Sequence, residues 1–461
     1  MAARIIFHGG AEVVTGSNFL IETGATSVLV DCGVEQGEKY CEECAYEPFP
    51  YAVEKLDALI ITHAHLDHVG RAPRLMRGGF KGRVYMTEPT RDLAELILHD
   101  SAEILLMEAK KKNTEPLYDV KDVEAFLKLI TTVPYHTEWE AAPGLSAYFR
   151  NTGHILGSAS VRFTTSEGDT FAITSDLGNS PSPLLPDAEP IPDADVVIME
   201  SVYGDRAVPE KEHRVRAFRD TLRKAIGKGG AILIPAFSME RTQLMLYELS
   251  NFMTEKEIPQ VPVFLDSPLA ISVTDVYRKY AKAYFKQDVQ KELSREGDLF
   301  NFPFLTVTRS REESEKIAEV PGSKIIIAGA GMSHGGRIGR HEARELPKKE
   351  STLLIVGYQA PGSPGRLLQD GAKRVRINGQ EVRVRAQVET LHGWSAHTDR
   401  DGLLSYAESC LPKTKTFFAA LGEPASARFL AQRIHDYLGV RAIVPQQGQV
   451  WEIKGGKVQK V

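Results

Sequence analysis

The sequence predicts an α/β fold, and three observations carry that reading. Its 461 residues, at roughly 100–200 residues per domain, leave room for two or three domains that each bury a core. The first part runs through short apolar stretches separated by Gly- and Thr-rich turns, the texture of strands. From Asp205 onward apolar strands alternate with helical segments, the pattern of a parallel sheet with helical crossovers.

In order along the chain, residues 4–7, 18–22 and 27–30 read as short strands. Residues 59–62 form a buried strand that runs into a group of histidines. Residues 90–112 repeat Leu93, Leu96, Ile97, Ile104, Leu105 and Met107 among charges, at the spacing of one helix face. Strands return over 161–164 and 171–174, followed by an ordered loop over 181–192 that holds five prolines. A buried strand over 195–199 ends at Glu200. The alternating region then supplies strands over 231–235, 261–265, 324–328 and 352–356. A hairpin closes it, with strands 374–377 and 382–385 around an Asn378-Gly379 turn.

Composition narrows the class. A 42% hydrophobic and 25% charged chain has the balance of a soluble globular protein. The net charge of −5 does not advertise a nucleic-acid binder, although a local basic face is compatible with it. The beginning, Met1-Ala2-Ala3-Arg4, lacks the apolar core of a secretion signal, and no run of about 18 apolar residues suggests a membrane span. Four cysteines argue against a disulfide framework, so a reducing cytoplasm is expected. Cys41-Glu42-Glu43-Cys44 is a CxxC pair without a second pair to complete a zinc ribbon, and reads as incidental.

The strongest local signal is Thr62-His63-Ala64-His65-Leu66-Asp67-His68. Imidazole and carboxylate are good zinc ligands, and a loop leaving a strand can turn successive side chains toward one point. One metal takes three or four of these groups. Four within six residues, with more downstream, suit two metals better. His154, in Gly153-His154-Ile155-Leu156-Gly157-Ser158, and Asp176, in Thr174-Ser175-Asp176-Leu177-Gly178, are further candidates at strand ends. Asp31, which also ends a strand, reads as a group that orients a ligand histidine, or else as a turn cap.

The series HxHxDH, then Gly-His, then Ser-Asp resembles the metallo-β-lactamase superfamily, an αββα sandwich with a dinuclear metal site at one edge of its sheets. Met199-Glu200-Ser201-Val202-Tyr203-Gly204, Pro235-Ala236-Phe237-Ser238-Met239-Glu240-Arg241, Leu265-Asp266-Ser267-Pro268, the Gly-rich 328–337 segment and Gly393-Trp394-Ser395-Ala396-His397-Thr398-Asp399 are similar to the β-CASP branch. In that branch a parallel-sheet α/β domain is inserted into the hydrolase domain, and the active site lies in the cleft between them. The resemblance implies a metallo-β-lactamase domain built from 1–205 and 389–461, with a β-CASP domain over 206–388. It is nearest to prokaryotic relatives of the endonuclease subunit of the cleavage and polyadenylation specificity factor.

The resemblance implies two zinc ions: one on His63, His65 and His154, the other on Asp67 and His68, with Asp176 bridging. Asp67 is counted among the catalytic residues as well. Glu200 and His397 match the acid and the histidine that pair across the family's site, with His397 assisting the departing oxygen and Glu200 keeping it protonated. The implied reaction is hydrolysis of RNA phosphodiesters, endo- or from the 5′ end, by attack of a metal-bound hydroxide. DNA is the alternative substrate, and a homodimer is compatible with the family.

One departure stands out. RNA-processing members carry a further ligand histidine in a strand–His-Gly-Glu stretch, and here the matching segment is Phe417-Phe418-Ala419-Ala420-Leu421-Gly422-Glu423. Leucine cannot ligate a metal, so the Asp67/His68 zinc is expected to be weaker. DNA nucleases of the branch also carry an apolar residue here, and the remaining motifs resemble RNA-type members. A catalytically weakened binding protein is the third reading. For substrate, Gly331, Arg337 and Arg340 of the Gly-rich segment and Arg366 beyond it are expected near phosphates, since small residues let backbone N–H groups approach anions. The basic stretch Lys373, Arg374, Arg376, Arg383 and Arg385 is either a solvated face or a phosphate contact.

Overall fold

The computed structural model describes residues 2–24, 26–35, 43–209 and 211–461; Cys41 of the CxxC pair lies outside them. The chain forms two compact units. The first is Met1–Ala207 with His397–Val461, and the second is Val208–Ala396.

The first unit contains two sheets. One has eight strands in the order Lys457–Lys460, Val450–Lys454, Ala3–Gly9, Asn18–Thr23, Thr26–Val30, Ala58–Ile60, Arg83–Met86, Ile130–Thr132. The other has seven, in the order Arg441–Ile443, Thr416–Ala420, Val196–Glu200, Thr170–Ile173, Ala159–Thr165, Leu145–Asn151, Glu138–Ala142. Their inner faces share one core: Phe7, Phe19 and Ile60 of the first sheet with Phe149, Phe163 and Phe418 of the second. The Phe7 and Phe418 rings meet across the sheets with centroids 5.5 Å apart. Alternation explains the layer: in Leu145–Asn151 the odd positions are buried and the even ones half-buried.

Helices cover the outer faces. Arg400–Ser409 and Pro424–Leu438 bury Leu403, Leu430 and Ile434 against Val197, Met199 and Phe417. The long helix Glu88–Lys112 starts two residues earlier than its periodicity suggests, because Thr87 caps it by accepting from the Thr90 N–H. This is the αββα sandwich. Its last quarter is integral to both sheets: Thr416–Ala420 pairs in parallel with Val196–Glu200, and Val450–Lys454 pairs antiparallel with Ala3–Gly9.

The second unit is a six-stranded, all-parallel sheet in the order Leu305–Val307, Val263–Leu265, Lys324–Ala328, Ala231–Pro235, Thr352–Ile355, Gln387–Thr390. Its central strands Ala231–Pro235 and Lys324–Ala328 read as continuous apolar runs because both faces are covered. The edge strand Gln387–Thr390 spans the 388/389 boundary read from sequence, and its pairing with Thr352–Ile355 keeps it in this sheet. The hairpin Arg374–Ile377/Gln380–Arg383 forms around the Asn378-Gly379 turn, with its second strand two residues earlier than the expected 382–385 because the two-residue turn pairs Ile377 directly with Gln380. Among the described residues, no helix is long and apolar enough to cross a membrane.

Candidate metal centre

Five strand ends of the first unit and the returning chain at His397 deliver the polar residues. The parallel strands Thr26–Val30 and Ala58–Ile60 end side by side and lead to Asp31 and to Thr62-His63. One turn of helix, Leu66–Val69, follows His65, whose carbonyl accepts from the N–H groups of His68 and Val69. That turn brings His68 back toward Asp31. Gly33 makes the approach possible: a Cβ there would lie 1.6 Å from the Asp67 carbonyl oxygen.

The loop after Leu145–Asn151 carries His154. Ser158 Oγ staples it by accepting from the N–H groups of His154 and Ile155, each at 3.2 Å. The proline-rich segment braces it from outside, where Asn151 Nδ2 donates to the Asp187 carbonyl at 3.2 Å. Thr170–Ile173 leads to Asp176, Val196–Glu200 ends on Glu200, and His397 arrives on the returning chain through a bridge with Gly178.

These ends converge. His63 Nε2 lies 3.1 Å from His65 Nδ1, and His154 Nε2 lies 3.2 Å from the same atom. Asp176 Oδ2 is 3.5 Å from His63 Nε2 and 3.3 Å from His154 Nε2. Around one zinc with bonds of about 2.0–2.1 Å, tetrahedral ligands sit roughly 3.3–3.4 Å apart. The donor set therefore has the spacing of ligands around a single small cation. Burial holds the His63 and His154 imidazoles well below the usual histidine range, so their nitrogens keep lone pairs for a metal at neutral pH.

The second half of the cluster is built differently. Asp31, fully buried, accepts from Ser17 Oγ at 2.9 Å, the Thr62 N–H at 2.9 Å and His68 Nδ1 at 2.7 Å. Fixing Nδ1 as the donor turns His68 Nε2 into the site, 3.4 Å from Asp176 Oδ1. This nitrogen is buried and faces the Asp176 carboxylate, a placement that fits a metal ligand. The two oxygens of Asp176 thus face different histidines, as a bridging carboxylate requires. Asp67 stays half-buried beside His68, outside both groups of converging donors found among the described residues. The Thr62 and Ser175 hydroxyls, 2.7 Å apart, close the space behind His63 and His68. Both immediately precede a ligand position, a sequence signal the motif reading passed over.

Glu200 and His397 meet Asp176 in the second group of donors. His397 Nδ1 is 3.2 Å from Glu200 Oε2, and Glu200 Oε1 also accepts from the Leu177 N–H. Burial works against a charged His397, but Glu200 and Asp176 push its pKa up to about 10. The ring stands 4.7 Å from His154, centroid to centroid, and 6.0 Å from Tyr203.

Leu421 follows the strand that pairs with Val196–Glu200, at the same sheet end, and its φ is 47°. That left-handed region favours Asn, Asp and His over Leu among side-chain-bearing residues. Its side chain belongs to the core between the sheets and presses on Gly10, leaving no donor atom here.

The expected substrate residues lie in the second unit and are not part of this cluster. Arg337 is occupied internally. It donates to the buried Asp266 carboxylate at 2.7 Å, the Thr308 carbonyl at 2.9 Å and the Arg309 carbonyl at 2.7 Å. Asp266 also accepts from His341 Nε2, Ser314 and Thr308, a hub that the sequence does not signal. Arg366 pairs with Asp370, Arg340 lies 3.7 Å from Glu315, and the Gly331 carbonyl accepts from Gln359.

Known families match this chain along nearly its whole length. The metallo-beta-lactamase superfamily matches residues 11–236, the Beta-Casp domain 242–368, and the Zn-dependent metallo-hydrolase RNA specificity domain 381–445. Ribonuclease TTHA0252 of Thermus thermophilus is 38% identical over 88% of this chain and 90% of its own length. The chain belongs to the β-CASP branch of the metallo-β-lactamase superfamily. Archaeal proteins of this branch named transcription termination factor FttA match as well. That of Methanocaldococcus jannaschii is 32% identical over 98% of this chain and 72% of the relative. A crystal structure of a protein of unknown function from Enterococcus faecalis shares the fold, with a TM-score of 0.59 and 10% identity over 98% of this chain and all of the other. As in other metallo-β-lactamase folds, the clustered His and Asp residues form a divalent-metal site.

Replacing Asp31 by Asn removes the anion that orients His68. Metal affinity is expected to fall by about 10–100-fold, the usual cost of losing such a partner. Competition titration with a chromophoric chelator measures it, and an unchanged affinity would show that Asp31 serves the fold alone.

Proposed function

We propose that this chain is a zinc-dependent ribonuclease that hydrolyses phosphodiester bonds of RNA. The observation that carries the reading is the closely spaced donor set His63, His65, His154 and Asp176 with the His397–Glu200 pair beside it. The ribonuclease and termination-factor relatives and the RNA specificity match support RNA as the substrate.

His63, His65 and His154 would hold one zinc and Asp67 and His68 the other, with Asp176 between them. Bound there, such cations neutralise charge on a phosphoryl group and lower the pKa of water. The chain's own groups do the rest. Asp31 and the Thr62 and Ser175 hydroxyls fix the imidazoles. Glu200 holds His397 by Nδ1, so a proton for the departing oxygen comes from Nε2. With Leu421 in place of a nitrogen donor, the Asp67/His68 site binds its metal more weakly than the His63/His65/His154 site.

Cleavage of labelled single-stranded RNA and DNA of one sequence tests the activity. Zinc-loaded wild type is expected to cut RNA, and His397→Ala to slow it by about 10²–10⁴-fold. Cutting of DNA alone would move the assignment to DNA; cutting of neither would end the nuclease reading.

The proton role of His397 has a pH signature. Glu200 raises the His397 pKa above the usual histidine range, so activity that needs its cation extends above neutral pH and falls as the pH rises through that raised pKa. Glu200→Gln removes the anion that stabilises that cation, so the alkaline limb of the pH–rate profile moves to lower pH. A limb that stays in place assigns the titration to another group.

Leu421→His restores a nitrogen donor at a backbone conformation that suits it. Zinc per chain, measured by plasma mass spectrometry after dialysis, is expected to rise toward two, with faster RNA cleavage. No rise in either would dissociate the weaker site from Leu421.

A further inference from the structure

The hairpin Arg374–Ile377/Gln380–Arg383 carries unbalanced positive charge on one small face. Its register places Arg374 opposite Arg383 and Arg376 opposite Glu381, so these four side chains share one face. Val375, Ile377 and Val382 are buried on the other. Arg385 lies two residues beyond Arg383, and Lys373 precedes Arg374; both are exposed. The face and its ends therefore hold five cations against one carboxylate, in a chain whose net charge is −5. Glu381 is already engaged with Arg374 at 2.6 Å. Among the described residues, no carboxylate pairs with Lys373, Arg376, Arg383 or Arg385.

Such an arrangement costs stability in isolation. Like charges directly opposite on neighbouring strands repel, and Arg374 faces Arg383 in that way. The buried face already anchors the hairpin, with Val375, Ile377 and Val382 in the core of the second unit. The Asn378 side chain of its turn lies against Gly339, close enough that a Cβ on that glycine would meet it at 3.0 Å. The outward arginines are thus not needed for folding. They are preset on a rigid two-stranded frame about 6.7 Å apart along each strand. Planar guanidinium groups in a row match a chain of phosphates, each able to take two parallel hydrogen bonds.

We propose that this face binds the phosphate backbone of single-stranded RNA, outside the metal centre. The proposal rests on the ribonuclease reading for its choice of RNA over an acidic protein. The RNA specificity match, which begins at residue 381 within this hairpin, supports that choice. Contacts of this type are indifferent to base sequence, so the face supplies affinity and strand retention rather than selectivity.

Fluorescence anisotropy on the full, zinc-loaded chain tests it, with a labelled 2′-O-methyl phosphorothioate RNA that resists cleavage, so the readout is independent of turnover. Wild type is compared with R376Q/R383Q and with R376K/R383K across a salt series. Losing two phosphate contacts is expected to flatten the log–log salt dependence by about 1.4 and to weaken binding about 25-fold near 0.1 M salt. The lysine pair keeps the charge and should stay close to wild type. Thermal melts check that both variants remain folded. Equal affinity and slope in wild type and R376Q/R383Q, equal losses in the lysine pair, or no RNA binding by wild type would overturn the proposal. So would polyglutamate binding that depends on these arginines while RNA binding does not. Cleavage of ordinary RNA by wild type, measured separately, leaves the ribonuclease reading standing in each of those cases.

Discussion

Three imidazoles and a carboxylate with donor atoms 3.1–3.5 Å apart, nearly all removed from water, form an arrangement that side chains do not adopt for their own sake. Burial without full pairing costs each such group free energy, and buried like groups compound it. The first unit keeps the cluster because each member is held from behind. Asp31 and the Thr62 and Ser175 hydroxyls stand behind His63 and His68, Ser158 pins the loop of His154, and Glu200 faces His397. A shared cation converts this crowding into coordination. The buried Nε2 of His68, facing Asp176 Oδ1 at 3.4 Å, fits the same account.

The backbone shows the same investment. Asp31, Ser175 and Leu421, each just past the end of a strand, have φ of 59°, 56° and 47°. A left-handed turn costs a residue with a side chain roughly 1–2 kcal/mol. Three of them around one sheet end indicate that the strands stop where the site needs them, with the cost met by the aromatic core between the sheets. The same core explains why the segment His397–Val461 returns to the first unit. Without Thr416–Ala420 and Val450–Lys454, the faces carrying Phe7 and Ile198 would each lose a neighbouring strand.

The ligand motif was legible because its residues are local: one strand end and one helical turn place His63 to His68. The parallel sheet of the second unit was legible because strands covered on both faces read as unbroken apolar runs. Contacts between distant segments were not. Arg337 sits in a Gly-rich segment and reads as a phosphate ligand, yet Asp266, 71 residues away, takes its guanidinium. Thr416–Ala420 and Val450–Lys454 are short, and their partners Val196–Glu200 and Ala3–Gly9 lie hundreds of residues earlier, so periodicity gives no hint of which sheet they join. Gln387–Thr390 shows the same limit, since its place is set by an edge pairing rather than by its own pattern.

Leu421 joins the local and the distant arguments. A leucine in a left-handed conformation forfeits roughly 1–2 kcal/mol, but full burial of its side chain returns about 1.5–3 kcal/mol. With 1% of its surface exposed, in the core beside Gly10, it is at home in the fold. What it removes is chemical: the strand neighbouring Glu200 ends without a nitrogen donor. His68 Nε2 and Asp176 Oδ1 face each other at 3.4 Å, whereas the other oxygen of Asp176 meets His63 and His154 in a set of four donors. In the proposed two-metal reading, the Asp67/His68 side is therefore the poorer in donors, and it is the side that Asp31 orients through His68.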